Sequence, residues 1–218
     1  MKTAILVDGG FYRRRAQAKI GDKTGVERAR ELDNYCRRHL SEKNQPKHHL
    51  YRIFYYDCPP MNKKVYHPFL KQQIDFSKSD LNLWMEDFFS ELKTRRKFAL
   101  RLGRLAAGQA GYTLRPSVVK KLCAGKMSFE DLKERDFVID VDQKGVDMKI
   151  GLDIASLAYK RQVDQIVLIS GDSDFVSAAK LARREGIDFV LDPLGSNISA
   201  DLFEHIDGLI TRDDKYKI

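Results

Sequence analysis

The chain has 218 residues, 43% hydrophobic and 32% charged, with a formal net charge of +8. That size and balance suit one globular domain over residues 1–218 and exclude a disordered chain. No apolar run approaches the roughly 20 residues of a membrane span, and Cys36, Cys58 and Cys123 are too scattered for a disulfide framework or zinc site, so a cytoplasmic protein is expected.

In chain order, residues 2–8 read as a short buried strand ending on an acid. The stretch from Ala4 to Val7 is too short for a signal-peptide core. Residues 25–43 read as a helix, with Val26, Ala29, Leu32, Tyr35, Cys36 and Leu40 on one stripe. Residues 49–57 are rich in aromatic and β-branched side chains and read as a second strand, stopped by Pro59 and Pro60. The polar, aromatic-studded stretch 58–79 is expected to be a loop or irregular insert. Residues 80–97 follow as a helix with Leu81, Trp84, Met85, Phe88, Phe89 and Leu92 inward, a stripe that reads as core.

Residues 98–106 alternate as a strand should. Residues 107–135 read as an irregular elaboration, with short helices expected over 117–123 and 128–134. Helices at about 147–161, 173–185 and 199–205 then alternate with strands at 165–170 and 187–192, and residues 207–211 close the chain. Strands alternating with helices imply a three-layer α/β/α sandwich around a mainly parallel sheet.

Charge is unevenly placed. Residues 1–125 carry about 26 Lys/Arg against about 12 Asp/Glu, whereas the remainder is net acidic. The clusters Arg13-Arg14-Arg15, Lys63-Lys64 and Arg95-Arg96-Lys97 point to an anionic polymer as partner. Tyr12, Tyr66 and Phe69, set among Arg13, Lys63, Lys64 and His67, are candidates to stack on single-stranded bases.

Ligands of such sheets gather outside the carboxyl ends of the strands. Asp8, Asp172 and Asp174 fall there, and Asp147 opens the helix after Lys144-Gly145-Val146. Each has a structural explanation as a helix cap. Together, several carboxylates in one crevice repel one another unless cations bind, and oxygen ligands of this kind suit Mg²⁺ or Mn²⁺. Beside a basic surface, that chemistry suggests attack on a phosphodiester. Neither a dinucleotide fingerprint nor a Walker A loop is present. The His48-His49 pair points to opposite faces of a strand and is a poor ligand pair. Asp57, at the end of the second strand, reads as structural before functional.

The segments Val7-Asp8-Gly9-Gly10-Phe11-Tyr12, Tyr55-Tyr56-Asp57, residues 101–105, the run from Lys144 to Asp153, Ser170-Gly171-Asp172-Ser173-Asp174-Phe175 and Gly186-Ile187 resemble, in order, the NYN family. This family lies among the PIN-like nucleases, and the bacterial LabA-like subgroup is the nearest match. The resemblance implies a PIN-like fold and a metal-dependent ribonuclease with Asp8, Asp147, Asp172 and Asp174 as catalytic and metal-holding acids. Mg²⁺ or Mn²⁺ would be the cofactor and single-stranded RNA the partner, met by Arg13, Arg14, Lys63, Lys64 and Lys144. Asp153 matches a recurrent family acid, but six helical residues turn it about 120° from Asp147, so a supporting role is expected. Ser170 and Ser173 are candidates for hydrogen bonds to a phosphate or a water, or for ordinary turn and cap duties. Phe11 stands where many relatives carry Asn. An RNA-binding module with little catalysis is the alternative. A haloacid dehalogenase-type phosphatase is disfavoured by Gly10, which stands where that chemistry needs a second Asp.

Overall fold

The computed structural model describes residues 1–41, 46–106, 108 and 110–216. Strand β1 (Lys2–Asp8) runs directly into helix α1 (Gly9–Ile20), followed by α2 (Gly25–Arg38) and β2 (His49–Asp57). Strands β3 (Lys64–His67) and β4 (Gln72–Asp75) form a hairpin before α3 (Asp80–Thr94) and β5 (Phe98–Leu102). Short elements come next: β6 (Arg104–Leu105), β7 (Gly111–Leu114), α4 (Pro116–Cys123), β8 (Phe137–Asp140) and β9 (Gln143–Lys144). Helix α5 (Val146–Tyr159), β10 (Gln165–Ile169), α6 (Val176–Arg184), β11 (Asp188–Asp192), α7 (Ala200–Glu204) and β12 (Gly208–Leu209) complete the order.

Six strands form one sheet in the order β12-β11-β10-β1-β2-β5, and all its pairs are parallel. Helices cover both faces, which gives the three-layer α/β/α arrangement of a PIN-like fold. The alternation of β1 separates the layers. Ile5 and Val7 join the core under α1, α2 and α3, whereas Ala4 and Leu6 join the core under α5, α6 and α7. With both faces covered, residues 4–7 are wholly buried, so the strand reads as an unbroken apolar run. A reciprocal capping box between Thr24 and Glu27 starts α2. Trp84 stacks on Phe88 inside α3 at 5.1 Å between ring centres, as its core reading requires.

Several elements differ from the sequence expectations. The helix α1 was not expected, because only Gly9, Tyr12 and Ala16 of its residues are buried and no apolar stripe announces it. The Asp8 cap and tertiary contacts hold it instead. The insert 58–79 is not a loop but contains the β3–β4 hairpin, whose tip bends at Lys71 (φ 53°) without a glycine to signal it. Within 107–135, β7 finds its partner β8 from beyond that stretch, a pairing invisible to local pattern; residues 107 and 109 lie outside the described residues. Only the first of the two short helices expected there forms; 129–131 and 134–136 are single 3₁₀ turns.

The expected strand 98–106 breaks at Gly103, where an added Cβ would lie 2.7 Å from the Lys144 carbonyl oxygen. The expected helix 80–97 ends at Thr94. That over 25–43 ends at Arg38, and its residues 42–43 are outside the described set. No helix among the described residues is long and apolar enough to cross a membrane.

Candidate acidic site at the sheet edge

Strand order reverses at β1: β2 and β5 lie to one side, and β10, β11 and β12 to the other. The crevice between β1 and β10, at their carboxyl ends, is therefore the topological switch point where α/β sheets take ligands. Asp8 ends β1 and caps α1, its Oδ1 accepting from the Phe11 N–H at 3.0 Å. Across the crevice, the buried Ser170 hydroxyl donates to Asp8 Oδ2 at 3.2 Å and accepts from the Asp172 N–H at 3.3 Å. Asp172 caps the turn 173–175, its Oδ1 accepting from the Asp174 N–H at 3.0 Å. Asp147 lies in the first turn of α5, after Gly145 in the left-handed conformation (φ 83°).

Three strands of this edge end on aspartate, and their fates differ. Asp57, at the end of β2, is buried and bound by Arg13 through two hydrogen bonds of 2.9 and 3.1 Å, by the Tyr55 hydroxyl at 3.0 Å and by the Cys58 N–H. Asp192, at the end of β11, is wholly buried and accepts from Tyr35, from His39 Nε2 at 2.9 Å, from the Leu194 N–H and from Thr211. Both are absorbed by the fold. Among the described residues, the hydrogen bonds to Asp8 come from two neutral donors. Burial pushes its carboxyl above the usual range, and the Asp147 charge adds to that, against the opposing pull of its hydrogen bonds and of Arg14. Asp147 is raised as well, by partial burial and then by the charges of Asp172 and Asp174. These four acids therefore share one field.

Their oxygens are not in ligand-cage contact. Among the described residues, Asp201, Glu204 and His205 are the group of three or more metal-capable side chains whose donor atoms lie within 4.8 Å of one another. They sit on the short, exposed α7 region, where His205 Nε2 meets Asp201 Oδ1 at 3.3 Å.

The remaining candidate residues fall into two groups. Arg14 is exposed and close to Asp8, whose carboxyl it lowers. Lys63 and Lys64 are exposed on the insert, and Lys144 is exposed with a loose 4.0 Å contact to Asp142. Ser173 is exposed beside Asp172.

Arg13, in contrast, is engaged by Asp57 and is not a free cation for RNA. Tyr12 also leaves the stacking set, and His67 leaves the polar surround. Tyr12 is core and donates to Glu31 at 3.1 Å, and His67 is buried against Tyr112. Asp153 is turned away from a ligand role: Arg101 grips both its oxygens at 2.9 and 2.6 Å, and the Tyr56 hydroxyl donates at 2.8 Å. Sequence reasoning missed the packing of Phe11. Its ring lies so close to Gly171 that an added Cβ there would sit 2.8 Å from Phe11 Cε2. Phe11 thus braces α1 against the loop carrying Asp172.

The family model described as the NYN domain matches residues 87–207. The chain belongs to the NYN domain family. Membership places it with the PIN-like nuclease superfamily. The match covers Asp147, Asp172 and Asp174 and begins within α3, so it omits Asp8. It is the pairing of β1 with β10, Val7 opposite Ile169, that brings this NYN chain's first acid to the others. No curated protein sequence matches the chain. Among solved structures, a protein of unknown function from Vibrio parahaemolyticus is similar in fold, with a TM-score of 0.51 at 16% identity, covering 100% of this chain and 96% of that one.

The donor set suits a hard divalent cation. All four crevice acids offer carboxylate oxygens, with no thiol or imidazole among them, and the pull of Arg14 on Asp8 does not offset burial and the Asp147 charge. Mg²⁺ and Mn²⁺ fit this chemistry.

Proposed function

We propose that the protein is a metal-dependent ribonuclease that hydrolyses RNA phosphodiester bonds, acting as one cytoplasmic domain with Asp8, Asp147, Asp172 and Asp174 as its acidic centre. The carrying observation is the contrast among strand-end acids: Asp57 and Asp192 are absorbed by internal partners, whereas Asp8 keeps open acceptor capacity beside three further aspartates. A divalent ion bound by these acids supplies a water of lowered pKa and neutralises charge at the reacting phosphate.

The chain's own residues do the positioning. The Phe11 N–H and Ser170 hydroxyl fix the plane of the Asp8 carboxylate, and the Asp174 N–H fixes one oxygen of Asp172. Asp153 ties α5 to β2 and β5 through Tyr56 and Arg101, which holds Asp147 in its turn. Exposed Arg14 stands beside Asp8 as a phosphate contact, and the Ser173 hydroxyl offers a further donor. Lys63, Lys64 and Lys144 add cationic surface for single-stranded RNA.

A second reading, an RNA-binding module with little catalysis, draws on the looser spacing of the acids and on Phe11. One assay separates the two. Labelled single-stranded RNA is incubated with wild type or Asp172→Asn, with Mg²⁺, Mn²⁺ or chelator. The ribonuclease reading expects cleavage by the wild type in metal alone. Tight binding without cleavage under every condition overturns it in favour of the module.

A further inference from the structure

The β3–β4 hairpin has two faces of different character. Val65 and His67 turn inward, and His67 meets Tyr112 at 4.1 Å and Phe137 at 5.5 Å between ring centres, so the inner face is closed by the β7–β8 hairpin. Lys64 and Tyr66 alternate outward, with Gln73 opposite Tyr66 and Asp75 opposite Lys64. Asp75 is drawn back into its own turn by the Ser77 N–H and hydroxyl at 3.1 and 2.6 Å. Tyr66 is 52% exposed and Phe69, at the hairpin tip, 43% exposed. Exposed Lys63, Lys64 and Lys71 surround them. Phe69 leans one side on Phe137 at 6.0 Å between ring centres and keeps the other open, whereas Tyr66 stands free of other rings among the described residues. Open aromatic surface among lysines has the chemistry that single-stranded nucleic acid recognises: stacking for bases and cations for phosphates.

The hairpin also springs from the right edge. It leaves the carboxyl end of β2, beside Asp8 on β1, and its root Cys58 is close enough to Asp147 for that charge to help raise the thiol, after burial and Asp57. Tyr66 lies eight residues beyond Cys58, a reach of at most about 28 Å, which a short oligonucleotide bridges. We infer that this hairpin, with Tyr66 on its outer face and the open side of Phe69 at its tip as stacking surfaces and Lys63, Lys64 and Lys71 as phosphate contacts, is a platform that holds single-stranded RNA alongside the acidic centre. The inference rests on the ribonuclease reading only for naming RNA as the ligand.

The test is fluorescence anisotropy with a labelled 12-nucleotide oligouridine in chelator, where no metal-dependent cleavage occurs. Tyr66→Ala and Phe69→Ala should each weaken binding about tenfold, with Tyr66→Phe close to wild type and thermal melts unchanged. Lys63→Gln with Lys64→Gln should lower the salt slope by about 1.4. Tyr66→Ala should leave affinity for a 12-base-pair RNA duplex unchanged, because paired bases offer no free faces. Cleavage of oligouridine by the wild type in Mn²⁺ is read separately from anisotropy in chelator, so a failed ribonuclease reading and a failed platform give different results. The inference is overturned if the wild type does not bind oligouridine, if both alanine variants bind it as wild type does, or if they lose duplex and single strand alike.

Discussion

Replacing Arg13 by Met separates two roles that sequence reading ran together. Methionine keeps most of the apolar stem but removes the guanidinium that holds Asp57 through contacts of 2.9 and 3.1 Å. Asp57 is 1% exposed, so it would remain as a buried charge with only the Tyr55 hydroxyl and the Cys58 N–H as donors. Breaking a buried pair by removing one partner costs about 3–5 kcal/mol. The two remaining donors and the 21% exposure of Arg13 place this case at the low end, about 3 kcal/mol. For a domain of this size each kcal/mol moves Tm by about 2–4 °C, so a fall of about 6–12 °C is expected. Urea unfolding should show a lower midpoint at unchanged slope. Changing Asp57→Leu in the Arg13→Met background removes the stranded charge and should recover part of the loss. Anisotropy with single-stranded RNA, measured well below both melting temperatures, should give affinities within about twofold of each other, because Arg13 is not free to meet phosphate. A stability loss under about 1 kcal/mol, coupled to a tenfold loss of RNA affinity, would refute the structural assignment of Arg13 and return it to the binding surface.

The acidic centre gives two further expectations. Mn²⁺ or Mg²⁺ should raise the Tm of the wild type by mass action, and Asp172→Asn should lose most of that shift; thermal melts with chelator and with excess metal decide it, and an equal shift in the variant removes Asp172 from the ligand set. Asp8 has its carboxyl raised in the fold, so the metal-free native state takes up that proton more readily than the unfolded chain. Its stability contribution is present below about pH 4 and is lost as pH rises through the raised value. Asn caps helices as well as Asp does, so Asp8→Asn should gain on the metal-free wild type as pH climbs from 4 to 7, and a constant difference in Tm across that range counts against a carboxyl raised by burial and by the Asp147 charge. Gly171→Ala should destabilise by about 1–3 kcal/mol through overpacking against the Phe11 ring, and Phe11→Ala in the same chain should restore most of it; without that rescue in urea unfolding, the contact is not the cause.

Much of the fold could be read from periodicity alone. Strands β1, β2, β10 and β11 are buried on both faces and stand out as apolar runs, and α2 and α3 carry apolar stripes, so layers and parallel topology follow from local pattern. Leu81, in the first turn of α3, departs from its stripe and faces outward at 61% exposure instead of inward as its spacing suggested. Elements held by a cap, an ion pair or a remote strand do not show in a local window, and α1, the β3–β4 hairpin and the β7–β8 pair are of that kind. The same division runs through the candidate site. Sequence marked Asp8, Asp57 and the acids from 172 to 174 as strand-end carboxylates, a feature that Asp192 shares. Only the tertiary structure decided which of these keep their charge unpartnered. Arg13 reaches Asp57 from α1, Tyr35 and His39 reach Asp192 from the end of α2, and Thr211 reaches it from the last stretch of the chain. A carboxylate's availability depends on donors brought from far along the chain, and no local pattern of residues carries that information.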